Sequence, residues 1–198
     1  MKKALAMVVM TVATGMMGVV PRAAAAANDS NHFRLVVSAG AAACLPTARG
    51  DVTVSDLGPV QNMHVEVSGL PANKEFAAFL LQVPHSPFGL VWYQGDVVTD
   101  ARGRGVGDFT GIFSRETFIN GPGVAPAPTV FPDDASANPA TAPIQVYHMG
   151  LWFADSNDAA NANCPANVTP FDGDHQAGIQ VLNTTNFPDD KGPLGKLK

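Results

Sequence analysis

The chain has 198 residues, of which 46% are hydrophobic and 15% charged, and its 12 basic and 17 acidic residues give a formal charge of −5. The first 27 residues hold three of the basic residues and no acid, so residues 28–198 carry a formal charge of −8. This balance argues against nucleic acid or an anionic membrane surface as partner. The remaining 171 residues suffice for one domain with a substantial core.

The first 27 residues have the features of a secretory signal peptide. Lys2 and Lys3 precede an apolar run over residues 4–20, and small residues at 23–27 follow a proline. A membrane anchor is the alternative, but the run is short and leads directly into alanines. No later apolar run is long enough to span a bilayer. We therefore expect a secreted or periplasmic bacterial protein without a membrane span.

Short extended segments separated by glycine, proline, asparagine and aspartate dominate the rest of the chain, as is typical of all-β proteins. The alternation of apolar and polar residues is clearest at Met63, Val65 and Val67. The Asp-Ala-Arg-Gly-Arg-Gly sequence at 100–105 predicts a hairpin connection within an antiparallel meander. The predicted strands cover residues 33–38, 51–55, 62–67, 76–83, 90–93, 96–99, 106–113, 144–153 and 177–183.

Three segments interrupt this pattern. Residues 120–143 contain six prolines and two glycines without alternation, which predicts a long irregular Pro-rich loop on the surface of one domain. Asp155 provides an N-cap ahead of Ala159, so one or two helical turns are expected before Cys164. Residues 187–198 are expected to form a frayed polar tail.

These elements predict a single all-β domain over residues 28–198, an antiparallel immunoglobulin-like β-sandwich of roughly seven to nine strands with one short helix. Residues 65–76, Val-Glu-Val-Ser-Gly-Leu-Pro-Ala-Asn-Lys-Glu-Phe, resemble a strand, a Gly-Leu-Pro turn and an aromatic strand start in fibronectin type III and related immunoglobulin-like modules. Phe76 stands where those modules usually have tyrosine. The resemblance implies the sandwich fold and no particular ligand.

A second stretch bears on the source of the chain. Residues 147–153, together with 169–184, are similar to segments in secreted bacterial proteins of no established activity. This resemblance supports export and assigns no functional residue.

Cys44 and Cys164 are the only cysteines. In an oxidising compartment an isolated pair usually forms a disulfide, which here would tie the start of the mature chain to its C-terminal third. The alternative for Cys44 is lipidation, since three alanines precede it as in a lipobox. Arg34 interrupts the preceding apolar stretch, and this argues for the disulfide.

The densest polar chemistry lies in the C-terminal third. Carboxylate and imidazole groups are metal ligands, so His148, Asp172, Asp174 and His175 are candidate ligands of a divalent cation. Ordinary turn chemistry explains Asp172-Gly173-Asp174 equally, and no complete metal-binding motif is present. His148 also suits a core position, where Asp172, Asp174 or a backbone carbonyl would satisfy its ring nitrogens and hold the last loops in place.

Aromatic residues offer one more candidate surface. Flat rings stack on sugars and peptides, but with so few tryptophans and tyrosines in the chain the sandwich core is the stronger expectation. The rings concerned are Trp92, Tyr93, Tyr147, Trp152 and Phe153.

The sequence therefore favours a secreted non-enzymatic binding or structural module of the bacterial envelope or exterior, without a cofactor. Its partner would be an extracytoplasmic protein, a polymer or a small ligand, contacted through the Pro-rich loop and the loops around Asp155 and Asp172. The alternative is a metal-binding protein or metal-dependent enzyme that uses His148, His175, Asp172 and Asp174.

Overall fold

A computed structural model describes residues 30–113, 118–119, 143–169 and 176–197 of the chain. The predicted signal peptide and nearly all of the Pro-rich loop at 120–143 lie outside these residues. Eight strands form a closed antiparallel barrel: β1 Ser30–Val37, β2 Arg49–Asp56, β3 Gln61–Ser68, β4 Glu75–Leu81, β5 Val91–Thr99, β6 Gly105–Gly111, β9 His148–Phe153 and β10 Gln180–Asn183. Two short strands, β7 Phe118–Ile119 and β8 Pro143–Ile144, pair with each other.

The barrel order is β1-β10-β9-β4-β5-β6-β3-β2, and β2 closes the ring by pairing with β1. The predicted immunoglobulin-like sandwich is therefore wrong. The predicted meander is also wrong in part, because β3 pairs with β2 and β6 whereas β4 pairs with β5 and β9. The turn that follows β3 thus carries the chain from one side of the barrel to the other.

At two places, which we call seams, neighbouring barrel strands pair over only two residues. These two pairings close the sheet and so distinguish the barrel from a sandwich of two separate sheets. β5 and β6 pair only at their connected ends, where Val98 lies opposite Val106 and Thr99 opposite Gly105. β1 and β10 pair only through Val36–Asn183 and Val37–Leu182. The strands between the seams pair over most of their length, so the period-two burial expected of two packed sheets is present although the sheet closes.

The barrel interior is filled by side chains. All eight barrel strands contribute to this core, including Phe33, Val54, Met63, Phe76, Val97, Phe109, Leu151 and Val181. A second apolar cluster lies on the outer face of β4 and β9, where Ala77, Phe79, Leu81 and Trp152 pack with the partly buried Phe88 and Val91. β4 is therefore buried on both faces from Phe76 to Leu81.

The hairpin predicted at residues 100–105 is confirmed. The Asp100 carboxylate accepts hydrogen bonds from the backbone N–H groups of Arg102 and Arg104, which is why an aspartate begins this turn. Gly103 has a φ of 69°, and a Cβ there would lie 1.9 Å from the carbonyl oxygen of Leu70. Only glycine fits this close approach between the hairpin and the turn after β3.

The helix and the disulfide are both confirmed. Helix α1 covers Ser156–Asn161, and the Asp155 side chain accepts a hydrogen bond from the N–H of Asn157 at its N-terminus. Cys44 and Cys164 form a disulfide with a Cα–Cα distance of 5.3 Å. None of the helices in the described part of the chain is long and apolar enough to cross a membrane.

The C-terminal residues pack against the barrel, so the predicted frayed tail is wrong as far as residue 197. Residues 184–197, the C-terminal strap, contain two 3₁₀ helices, Asp189–Lys191 and Pro193–Lys196. Leu194 is fully buried in the main core, and Asn31 of β1 donates a hydrogen bond to the carbonyl oxygen of Pro193. The Phe187 ring contacts the Phe33 ring edge-on. The strap thus packs beside β1, which pairs with β10 over only two residues.

Candidate functional site

His148 is fully buried on the outer face of β9 and is bound by the strap. Its Nε2 lies 2.8 Å from the carbonyl oxygen of Asp189, and its Nδ1 lies 2.9 Å from Thr184 Oγ1. Because a carbonyl only accepts, Nε2 carries the proton in the neutral ring and Nδ1 accepts from the hydroxyl. The expectation of a core histidine that holds the last loops in place is confirmed.

Burial lowers the pKa of His148 below its ordinary value of 6.5, against the hydrogen bond to Asp189, which raises it. The nearby His85 also lowers this pKa through charge repulsion, and its own Nε2 lies 3.0 Å from the Asp189 carboxylate. The ring of His148 is consequently neutral at neutral pH and serves as a structural hydrogen-bonding group.

The predicted metal site is not assembled by the residues that the structure describes. Asp172, Asp174 and His175 lie outside the described residues, so their part of the prediction remains a prediction. Both ring nitrogens of His148 already have hydrogen-bond partners. Within the described ranges, no group of three or more His, Cys, Asp and Glu side chains is placed to hold a metal ion.

A second histidine lies on the outer face of β3. His64 Nδ1 is 2.8 Å from Asp108 Oδ1 on β6, and Nε2 is 3.5 Å from Glu66 Oε1. The hydrogen bond to Asp108 raises the pKa of His64 above 6.5, with a smaller contribution from Glu66 and against slight burial. The three side chains are exposed on the open face of a sheet, so this cluster suits electrostatic contacts at a surface more than chemistry in a water-excluded site.

The candidate aromatic residues separate into two groups. Trp152 and Phe153 are buried, as the core expectation requires, and Tyr147 is partly buried against the strap. Trp92 and Tyr93, by contrast, keep 51% and 47% of their surface exposed. Two consecutive large aromatic residues exposed on one strand form the most distinctive candidate contact surface in the described chain.

A β-bulge positions these rings. Tyr93 lies opposite Phe79 and Gly95 opposite Ala78, so Gln94 is an extra residue on β5. Tyr93 therefore shares the outer face with Phe79, and their rings meet edge-on with centroids 5.6 Å apart. The Tyr93 hydroxyl donates a hydrogen bond to Asp96 Oδ2 at 2.6 Å. These two contacts fix the ring on a support that is itself buried.

Trp92 lies on the opposite side of β5. It pairs with Leu80, whose side chain belongs to the main core, and successive residues of a strand point to opposite faces. Because β5 pairs with β6 only at Val98 and Thr99, the part of β5 that carries Trp92 is not paired with β6. We call Trp92, Tyr93 and Asp96 the β5 site.

Sequence reasoning predicted the two rings as candidates but missed Asp96. The available signal was the break at Gln94-Gly95, which divided β5 into two predicted strands. A bulge in one strand produces that break, and Gly95, with a φ of 148°, accommodates the Phe109 ring, which a Cβ would meet at 2.6 Å. Recognising the bulge would have placed Tyr93 and Asp96 on one face.

Comparison of the sequence with known protein families and with curated proteins finds no significant match.

Proposed function

We propose that the mature chain is a secreted, non-enzymatic binding module of the bacterial envelope or exterior, and that the β5 site is its contact surface. The observation that carries this proposal is the exposure of Trp92 and Tyr93, each close to half, beside the fully buried Trp152 and Phe79. Exposed aromatic rings on a rigid support are typical of binding surfaces, since they offer large contact area at low entropic cost.

The packed barrel interior supports a surface site over an internal one. Phe76, Met63 and Val97 are fully buried in the main core, and side chains that fill a small barrel occupy the space in which other barrels hold a ligand. A ligand of this protein would therefore contact the outside of the barrel, where the β5 site lies.

The contacts of the described histidines favour a binding role over a catalytic one. His32 lies 3.5 Å from Asp51, and His64 and His85 each lie within 3.0 Å of a carboxylate. The side chains of these three pairs are each at least 39% exposed to solvent. His148 does contact a hydroxyl, that of Thr184, but both residues are fully buried. We therefore assign His148 a structural role, and His32, His64 and His85 a role in surface electrostatics.

The test compares immobilised mature protein with a Trp92→Ala/Tyr93→Ala variant. Both are exposed to spent medium and to a solubilised envelope fraction of the producing bacterium, and bound proteins and glycans are quantified by mass spectrometry. We expect the variant to lose the component that the unmodified protein retains. A Val98→Ala/Val106→Ala variant is the matched control, because these two exposed residues lie opposite each other at the β5–β6 seam, outside the β5 site.

Equal retention by all three proteins would refute the assignment of the β5 site. Loss of retention in both variants would show that exposed apolar surface in general is responsible, and would also contradict it. Circular dichroism of each variant establishes that the fold is intact.

A further inference from the structure

We propose that the β5 site binds an organic cation, specifically the guanidinium and ammonium groups of a basic polypeptide. This inference rests on the proposed function and names the chemistry of its ligand. It combines the exposed Tyr93 ring with the carboxylate of Asp96, which lies on the same outer face and is held by the Tyr93 hydroxyl.

The local charge is acidic. In β5 and its two barrel neighbours, β4 and β6, the only Asp, Glu, Lys or Arg side chains are Glu75, Asp96 and Asp108, and Asp108 is paired with His64. Glu75 lies opposite Val98 and Asp96 opposite Ala77, so the two carboxylates are diagonal neighbours on the outer face. Lys74, directly before β4, is paired with Asp158 of α1. The complementary ligand is therefore positively charged.

The chemistry of the two groups matches a cation. An aromatic face attracts a guanidinium or ammonium group through its quadrupole. A carboxylate has about four lone-pair positions, so Asp96 accepts further hydrogen bonds beside the one from Tyr93. Together they supply a ring face and a negative charge to the same group, which is the arrangement that recognises a charged side chain.

The orientation of the rings argues against a glycan. Stacking successive sugar rings requires aromatic faces directed to one side, whereas Trp92 and Tyr93 are consecutive residues that point to opposite sides of β5. A basic peptide that crosses the edge of β5 would meet each ring with a separate side chain. Trp92 then provides a second cation–π contact on the far side of the strand.

The experiment is a titration of octa-arginine, and separately of the neutral sugar chitohexaose, into the mature protein by isothermal calorimetry. Asp96→Asn removes the charge while retaining an acceptor for the Tyr93 hydroxyl. We expect it to weaken octa-arginine binding about tenfold or more, since a hydrogen bond to a charged group contributes on that order. Asp108→Asn is the control, because Asp108 is an exposed carboxylate on β6, paired with His64.

The outcomes separate the two proposals. Octa-arginine binding that weakens with salt and with Asp96→Asn, but not with Asp108→Asn, supports the cation site. Equal weakening by both variants would show a general charge effect and overturn it. Chitohexaose binding that is lost in Trp92→Ala/Tyr93→Ala and unaffected by Asp96→Asn would overturn the cation inference and retain the proposed contact surface. Absence of binding by either probe would contradict the cation site, leaving the envelope comparison to decide the contact surface.

Discussion

The Nε2–H of His148 donates a hydrogen bond of 2.8 Å to the backbone carbonyl of Asp189, and this bond joins β9 to the C-terminal strap. A backbone hydrogen bond also joins the strap to the residue before β9, because Leu194 N–H donates to the carbonyl oxygen of Tyr147. Gly192 packs so closely that a Cβ would lie 2.2 Å from that oxygen. The strap is thus an integral part of the barrel.

The buried ring predicts a loss of stability in acid. The folded-state pKa of His148 is lowered from 6.5, so the unfolded chain binds the proton more readily than the folded one. The contribution to the free energy of unfolding is therefore complete above about pH 6.5 and declines as the pH falls towards the folded-state pKa. The test measures the free energy of unfolding in urea at pH 8 and pH 5. Between these two pH values it should fall less in His148→Gln than in the unmodified protein. An unchanged dependence would contradict the assignment.

His64 is expected to titrate in the opposite direction. Its pKa is raised above 6.5, chiefly by the hydrogen bond to Asp108, so its contribution is complete below about pH 6.5 and is lost as the pH rises through the folded-state pKa. In an NMR titration the His64 Cε1–H resonance should have a midpoint above 6.5, and Asp108→Asn should lower it. Asp51→Asn, which removes the partner of His32, is the control and should leave the His64 midpoint unchanged. A midpoint insensitive to Asp108→Asn would refute the pairing.

Removal of the disulfide should destabilise the protein strongly. Cys44 and Cys164 are 120 residues apart in sequence, and closing a loop of that length stabilises a fold by about 4–5 kcal/mol in the chain-entropy model. Urea unfolding of Cys44→Ser/Cys164→Ser measures the difference. A loss below about 1 kcal/mol would mean that the unfolded chain is already restrained in this region.

Truncation of Leu194 tests whether the strap belongs to the core. Leu194→Ala should lower the free energy of unfolding by about 2–5 kcal/mol, the range for a buried leucine. The control Leu57→Ala removes an exposed leucine of the β2–β3 turn and should change it by less than about 0.5 kcal/mol. Equal effects of the two variants would show that the strap does not pack against the barrel.

Local sequence patterns predicted most strands and the α1 N-cap because their causes are local. Met63, Val65 and Val67 alternate on one strand, and Asp155 caps the helix that directly follows it. Closure of the barrel is a non-local property. It depends on pairings between strands that are far apart in sequence, such as Val36 with Asn183 and Met63 with Phe109, and no single-strand pattern contains that information.

The same distinction applies to the candidate sites. The apolar surroundings of His148 predicted its burial, but its partners Asp189 and Thr184 lie in a strap whose polar composition resembled a loose tail. Gly192 was the overlooked signal, since its close packing against Tyr147 requires a residue without a side chain.

The central claim is that Trp92 belongs to a contact surface that a ligand covers. Trp152 is the only other tryptophan, so a Trp152→Phe variant reports on Trp92 alone through its fluorescence. We predict that acrylamide quenches this emission efficiently in the unliganded protein and less when octa-arginine is bound. Quenching that remains the same at saturating octa-arginine and at saturating chitohexaose would contradict the claim.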